Sequence, residues 1–486
     1  MAGAKTARSE SPGARDSAVG GTDPGEAQPV VTGAVLAGGN DAAGGAQGDA
    51  APASAAGTAA PAGAATKPRF GTKTFGSLRT RNYRLFATGQ VVSNTGSWMQ
   101  RVAQDWLVLQ LTHDSGTALG ITTGLQFLPL LLFSLWGGVI ADRYSKRGIL
   151  MVTQTVMGGL ALILGILALT GTVRIWHVYL LAFGLGLATV VDNPTRQSFA
   201  VEMVGRDGMA NAIALNSAVF NLARIAGPAV AGLVIGVAGT PAAFLVNAAS
   251  YGAVLVGLKL MRPEELHKVH RPQRARGQLR EALSYVRSRP DLSLPMILLF
   301  FVATFGMNFQ VTLALMSRTV FHTGASAFGF ASAVFAFGAL GGALLAARRS
   351  RPTLGLLLAT SMAFSVLEII TGIMPDYLSF LAALVPTGLT LLTFTTAANS
   401  RTQLSTAPDM RGRVMGLYLL LFLGGTPLVS PMVGWVAQTF GARMSVVAGG
   451  VISGVATIAI GFLLARKRGV PVRSYLRADE LVRMVG

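Results

Sequence analysis

Apolar stretches of about twenty residues, the length an α-helix needs to cross a bilayer core, recur twelve times along this chain. They lie near residues 84–110, 115–141, 147–170, 174–192, 209–237, 240–260, 293–317, 325–347, 353–374, 377–399, 413–437 and 443–465. Backbone polar groups in lipid must be satisfied within their own segment, so such a chain is expected to fold as an all-α membrane protein with twelve transmembrane helices. The first stretch is the least apolar, because Gln90, Asn94, Gln100, Arg101, Gln104 and Asp105 interrupt it. Its Trp, Leu, Val and Phe content and its flanking charges still fit a span. Only 13% of residues are charged, against about 25% in an ordinary soluble chain.

The placement of cations orients the spans. Lys67, Arg69, Lys73, Arg79 and Arg81 precede the first one. Even-to-odd connections then carry Arg143, Lys146 and Arg147, Arg196 and Arg206, Arg348, Arg349 and Arg351, and Arg401, Arg411 and Arg413. The opposite connections hold little more than His113, Arg174, Arg318, His322 and Arg443. Short loops rich in Lys and Arg stay in the cytoplasm, so both termini are expected there and the span number is even. Residues 1–66 are rich in Ala, Gly, Pro, Ser and Thr without apolar periodicity, which predicts a disordered cytoplasmic tail. They contain no apolar core of a cleaved signal peptide, so the first span is expected to serve as the insertion signal.

The remaining domains are expected at 67–261 (six helices), 262–291 (a central cytoplasmic linker), 292–465 (six helices) and 466–486 (a basic cytoplasmic tail). Within the linker, Leu279, Ala282, Leu283 and Val286 recur at helical spacing. They predict either an amphipathic helix on the membrane surface or a solvated linker helix.

Several function classes are excluded. The net charge of +19 is spread in small clusters between apolar spans, which argues against nucleic acid as a partner. There is no cysteine, the five histidines are scattered, and no Gly-x-x-x-x-Gly-Lys-Ser/Thr loop occurs. Thiolate chemistry, a metal site, a cofactor and an ATP motor are therefore not expected, and no cluster of acids and histidines suits a membrane-embedded enzyme.

The chain reads as two related halves. Gly137-Gly138 ends an apolar span before Asp142, Arg143, Lys146 and Arg147, and Gly341-Gly342 does so 204 residues later before Arg348, Arg349 and Arg351. A second pair, read as loops, is Asn193-Pro194-Thr195-Arg196-Gln197 and Asn399-Ser400-Arg401-Thr402-Gln403, with Arg206 and Arg411 each ten residues beyond the arginine. Gly227-Pro228 with Gly232 has its counterpart in Ser430-Pro431 with Gly434.

On these residues the chain resembles the major facilitator superfamily, whose loop between spans two and three reads G-x-x-x-D-R-x-G-R-R/K. Here that is Gly138, Asp142, Arg143, Ser145, Lys146 and Arg147, with Ser145 in place of a glycine, and in the second copy Ala346 stands at the position of Asp142. The resemblance covers about residues 80 to 465 and is nearest to the branch of enterobactin exporters and macrolide efflux proteins. It implies that Asp142 and its cations form a cytoplasmic gate against the start of span eleven, near Arg411 and Arg413. A purely topological role is the alternative for the cations. Gly227, Pro228, Ala231 and Gly232 are similar to the Gly-Pro-x-x-Gly-Gly signature of proton-driven exporters, with Ala231, Ala214 and Ala223 replacing glycines. An ordinary packing kink is the other reading.

Spacing picks out the residues that could carry transport. Gln90, Asn94, Arg101 and Asp105 share one face of the first span, which predicts a wall of a water-filled cavity. Asp105 is a candidate proton carrier, or else the partner of Arg101 in a structural ion pair. In the fifth span Ser217, Asn221, Arg224 and Pro228 align likewise, and Arg224 is positioned to meet an acid, an anionic substrate or backbone carbonyls. Asn247, Asn308 and Gln310 are candidate hydrogen-bonders, and Glu368 is expected at an interface near the outer end of a peripheral span nine.

Together these readings predict a secondary transporter of the bacterial plasma membrane, working as a monomer by rocking of its halves. It would export an amphipathic organic compound of drug, macrolide or siderophore type in exchange for protons. Its partners would be a small-molecule substrate, protons and the lipid bilayer. Import of a small metabolite and a non-transporting sensor or scaffold are the alternatives.

Overall fold

The computed structural model describes residues 76–267, 278–349 and 352–468, and these are entirely helical or connecting chain. The expected tail at 1–66, linker residues 268–277 and the C-terminal stretch 469–486 lie outside the described residues.

Spans 1 to 3 are Arg81–Leu111, Gly116–Arg143 and Lys146–Leu169. Spans 4, 5 and 6 come from one long helical run, Ile175–Leu260, divided at Gly205 and Gly239, whose φ angles are 71° and 78°. Positive φ is costly for any side chain with a Cβ, so glycine is what lets the chain reverse without a longer loop. The helix Gln278–Arg287 forms the linker. Spans 7 to 12 are Pro290–Val320, Ala325–Ala347, Leu354–Ile373, Tyr377–Ser405, Arg411–Phe440 and Ala442–Arg468. Among the described residues, ten segments are long and apolar enough to cross a membrane. One of these, Gly208–Leu260, is 53 residues long and holds two crossings divided at Gly239. Span 1 adds the twelfth, its polar residues having kept it below the hydropathy of the rest.

Spans 4 and 10 run past the sequence windows, to 204 and 405, so the two Asn-x-x-Arg-Gln stretches read as loops are helical turns. Their polar side chains find partners inside the bundle and need no loop. Pro194 leaves the carbonyl of Val190 without its helical donor, and Gly137 of span 2 packs on that carbonyl. A Cβ at Gly137 would lie 2.3 Å from Val190 O. In the second half Gly342 does the same for spans 8 and 10, where a Cβ would lie 2.1 Å from Leu389 O. The repeated glycine pairs are thus equivalent points of close helix crossing.

Spans 1 to 6 pack on one another, as do spans 7 to 12. We call the membrane side carrying the linker the linker side, and the opposite one the far side. The two halves meet where span 2 crosses span 11 and span 5 crosses span 8. Both crossings lie in the far-side half. Gly116 and Gly120 of span 2 face Gly434 and Ser430 of span 11, and Gly329 of span 8 faces Pro228 of span 5. The linker-side half of span 11, Arg411–Leu423, meets span 2 only marginally.

The linker helix docks on the second half. Ala282 and Val286 are buried, Glu281 Oε1 is 2.6 Å from Arg413 Nη1, and Tyr285 Oη accepts a bond from Ala407 N–H at 3.2 Å. Leu283 stays exposed.

Candidate functional site

Between the halves lies a cavity of about 110 Å³, walled by Thr123 and Phe127 of span 2, Met307 and Asn308 of span 7, and Phe422 and Thr426 of span 11. Span 7 is irregular here, with π-helical turns at Val302–Gly306 and Met316–Val320 and a break at Asn308. Asn308 Nδ2 donates to Thr304 O at 2.7 Å and its Oδ1 accepts from Ser430 Oγ at 2.9 Å, so this amide ties span 7 to span 11.

Arg101 reaches the same region. Its guanidinium carbon lies 4.7 Å from the Trp98 ring centroid and 6.0 Å from that of Phe127, which lines the cavity. Trp98 in turn meets Phe220 of span 5 edge to face at 5.8 Å. Asp105, one turn beyond Arg101, is 6% exposed. Although the sequence spacing allowed an ion pair, the two side chains do not come within 4.0 Å of each other. Arg224 is half-buried on span 5 and also has no carboxylate within 4.0 Å among the described residues. Asn221 instead donates to Ser217 O of its own helix at 2.9 Å.

The expected single face of span 1 divides into two sites. Its linker-side members, Gln90 and Asn94, accept bonds from Arg196 Nη1 at 2.6 and 3.0 Å. Arg196 also pairs with Asp192. Asp192 Oδ1 accepts from Thr153 Oγ1 at 2.7 Å and Gln154 Nε2 at 2.8 Å. Spans 1, 3 and 4 are thereby joined through a buried ion pair that the sequence windows hid, because they ended span 4 at Asp192 and assigned Arg196 to a loop. The available signal was the i,i+4 spacing of an acid and a base.

Two cations after span 2 are held within their own half. Lys146 Nζ lies 2.6 Å from Glu202 Oε1, and Arg147 caps the end of span 6 through Leu258 O at 2.7 Å and Lys259 O at 3.3 Å. Gly138 is buried, Asp142 half-buried and Arg143 exposed. Arg413 is engaged by Glu281 of the linker helix, and Arg411 is half-buried next to it.

The far-side seam uses residues that sequence reasoning did not single out. Arg318 Nε bonds Asp114 Oδ1 at 2.8 Å across the halves and lies 5.2 Å from the Trp106 ring centroid. Gln438 Oε1 accepts from Ser115 Oγ at 2.9 Å and Thr117 N–H at 3.2 Å. Ser326 Oγ donates to Gly232 O at 2.7 Å. Gly227 presses on span 1, where a Cβ would fall 2.9 Å from Thr95 O. The Gly227-Pro228-Gly232 segment is therefore a junction of spans 1, 5 and 8, and it keeps helical backbone angles throughout. The Asp114–Arg318 pair is partly exposed, so Asp114→Asn is expected to weaken far-side closure by about 0.5 kcal/mol, roughly twofold. Spin-label distances across spans 2 and 11 would measure it.

The comparisons agree with this architecture. The staphyloferrin A transporter of Staphylococcus aureus is 27% identical over 247 residues, 50% of this chain and 62% of that protein. The multidrug efflux pump Tap of Mycobacterium tuberculosis is 28% identical over 198 residues, 40% of this chain and 46% of that protein. These two alignments thus span about half of their relatives' length. The enterobactin exporter EntS of Shigella flexneri matches at 24% identity over 393 residues, 79% of this chain and 90% of that protein. Among solved structures, an inward-facing, unoccupied bacterial homolog of the human lysosomal transporter Spinster superposes with a TM-score of 0.64 at 16% identity, over 79% of this chain and 97% of that one. The nucleoside transporter NupG gives 0.61 at 11% identity, over 78% and 98%. With residues 72–474 matching the transmembrane secretion effector family, the chain is a multi-pass membrane protein of that family, within the major facilitator superfamily.

Proposed function

We propose that this transporter exports an amphipathic organic compound of siderophore or drug type from the bacterial cytoplasm by proton antiport and alternating access, as a monomer in the inner membrane. The observation that carries the reading is the asymmetry between the two sides. Among the described residues, the glycine-lined crossings that join the halves lie on the far side, over a cavity adjoined by Arg101 and walled by Phe127 and Phe422. The cation bias of the linker-side loops assigns that side to the cytoplasm, which makes this an inward-facing arrangement. Export is supported by the exporter-like Gly227-Pro228 segment at the seam and by relatives named for export and efflux.

Asp105 is the proton carrier in this reading. It is a buried acid on the same helix face as Arg101, and it is not tied up in an ion pair with it. Arg224 supplies a second cation for the acidic or carbonyl oxygens of a substrate. Asp142 forms the cytoplasmic gate with Arg411 and Arg413 when the halves rock, after Arg413 exchanges its Glu281 partner. The domain division at 67–261 and 292–465 follows the same rocking units.

Export from proteoliposomes of a panel of lipophilic cations, macrolides and siderophores, with and without an imposed proton gradient, tests the proposal. Gradient-driven flux of at least one member is expected. Asp105→Asn is expected to abolish the gradient dependence while leaving downhill flux. A mutant still driven by the gradient refutes the role of Asp105, and absence of flux for every class refutes the export reading.

A further inference from the structure

Behind span 7, away from the cavity, a carboxyl group is buried with no cation beside it among the described residues. Glu368, near the far-side end of span 9, is 3% exposed and packed inside the bundle. Its Oε2 has no hydrogen-bond partner, and no cation comes within 4.0 Å of it among the described residues. Spans 7 and 12 close over it: a Cβ on Gly306 would lie 3.1 Å from Oε2, and one on Gly449 would lie 2.9 Å from Oε1. The same Cβ on Gly306 would lie 3.0 Å from Ser453 Oγ, which is also buried and without a hydrogen-bond partner. The Cβ on Gly449 would lie 2.8 Å from Phe305 O. Two buried polar side chains that both border the space over Gly306 and find no hydrogen-bond partner mark a place for a further ligand.

The surrounding charges are otherwise engaged. Arg443 of span 12 bonds Gly372 O and Met374 O at 3.3 and 2.5 Å, while Arg318 of span 7 pairs with Asp114. Asp376, which starts span 10, caps its own helix through Leu378 and Ser379 N–H. Asp291, Arg401 and Arg466 sit near the linker-side ends of spans 7, 10 and 12. An ionised carboxyl deep in a membrane bundle does not persist without a counter-charge.

We propose that Glu368 is a monovalent-cation site of this transporter, separate from Asp105: the carboxyl carries either a proton or a Na⁺ that Ser453 Oγ and Phe305 O help to hold. The site sits against the π-helical turn Val302–Gly306, and on its other side span 7 lines the central cavity through Ala303 and Met307. A cation here is therefore placed to bias the packing of span 7, and with it the cavity.

The test is infrared spectroscopy of the full chain in liposomes at pH 7.5, in K⁺ and in Na⁺ medium, with glutamate labelled at its side-chain carboxyl carbon by ¹³C. The other glutamates, at 10, 26, 202, 264, 265, 281 and 480, lie in polar segments or at span ends, so a label-sensitive band of a protonated carboxyl reports Glu368 without a mutation. If the ligand is a proton, the band appears in both media, persists in Asp105→Asn and disappears in Glu368→Gln. If the ligand is Na⁺, the band is lost in Na⁺ medium, and Na⁺ raises the melting temperature of the wild type more than that of Ser453→Ala. Absence of a protonated band in both media together with no Na⁺-dependent stabilisation overturns the proposal. Both readouts are independent of flux, so they stand whether or not export is found.

Discussion

Replacing Gly434 with alanine is expected to hold the far side open and to cut transport about tenfold. A Cβ at this position would fall 2.0 Å from Gly116 O and 2.7 Å from Gly116 C. Both are backbone atoms of a helix, so no side chain can swing away to make room. The reverse contact is equally tight, since a Cβ at Gly116 would lie 2.5 Å from Gly434 O. Overpacking of this kind costs about 1–3 kcal/mol, and about 1.4 kcal/mol already shifts a two-state equilibrium tenfold. The cost falls on the closed state, because the clash exists only while spans 2 and 11 are together. The sequence contains no cysteine, so Thr123→Cys on the cavity wall gives a reporter without background. With Gly434→Ala added, a membrane-impermeant maleimide supplied from the far side should label the thiol introduced at position 123 severalfold faster. Unchanged labelling together with unchanged flux would show that the seam yields more easily than its geometry implies.

What the sequence disclosed depended on whether a residue's role is written in its own neighbourhood. Length and apolarity of each run gave the twelve helices, and only the boundaries slipped, at 192 and 399, where buried polar residues looked like loop. The glycine pairs at 137 and 341 were legible as repeats because their role is a local crossing. Gln90, Asn94, Arg101 and Asp105 share a helix face as their spacing required. Spacing on one helix says nothing of the neighbouring helix, however, and it was Arg196 that took Gln90 and Asn94 away from Asp105. The same limit hid Asp114 and Arg318, which are 204 residues apart in the chain and meet only when two halves dock. Glu368 was placed at an interface from its position along span 9. The chain alone does not reveal that it faces two glycines, Gly306 and Gly449, whose missing side chains admit it to the interior.

The other large effect is expected at the ion pair of span 4. Asp192→Ala removes a side chain with 0% exposure that pairs with Arg196 and accepts from Thr153 and Gln154. Arg196 keeps only the amide oxygens of Gln90 and Asn94, which carry no charge to balance it. Taking one partner from a buried ion pair costs about 3–5 kcal/mol, a large part of the roughly 5–15 kcal/mol that stabilises a folded domain. The variant should therefore reach the membrane in low yield and melt well below the wild type in detergent. Asp192→Asn keeps the shape and the bond from Thr153, and should lie between the two. Removing the charges together, as in Asp192→Val with Arg196→Met, should recover much of the melting temperature, since an apolar pair of similar volume replaces a buried ion pair at little net cost. Recovery will be incomplete because Gln90, Asn94 and Gln154 lose their partners. A wild-type melting temperature for Asp192→Ala would mean that water reaches Arg196 and the pair is not desolvated. If the double variant regains its fold and still fails to transport, the charges themselves serve the alternation of the halves, because packing alone will then have been shown sufficient for folding.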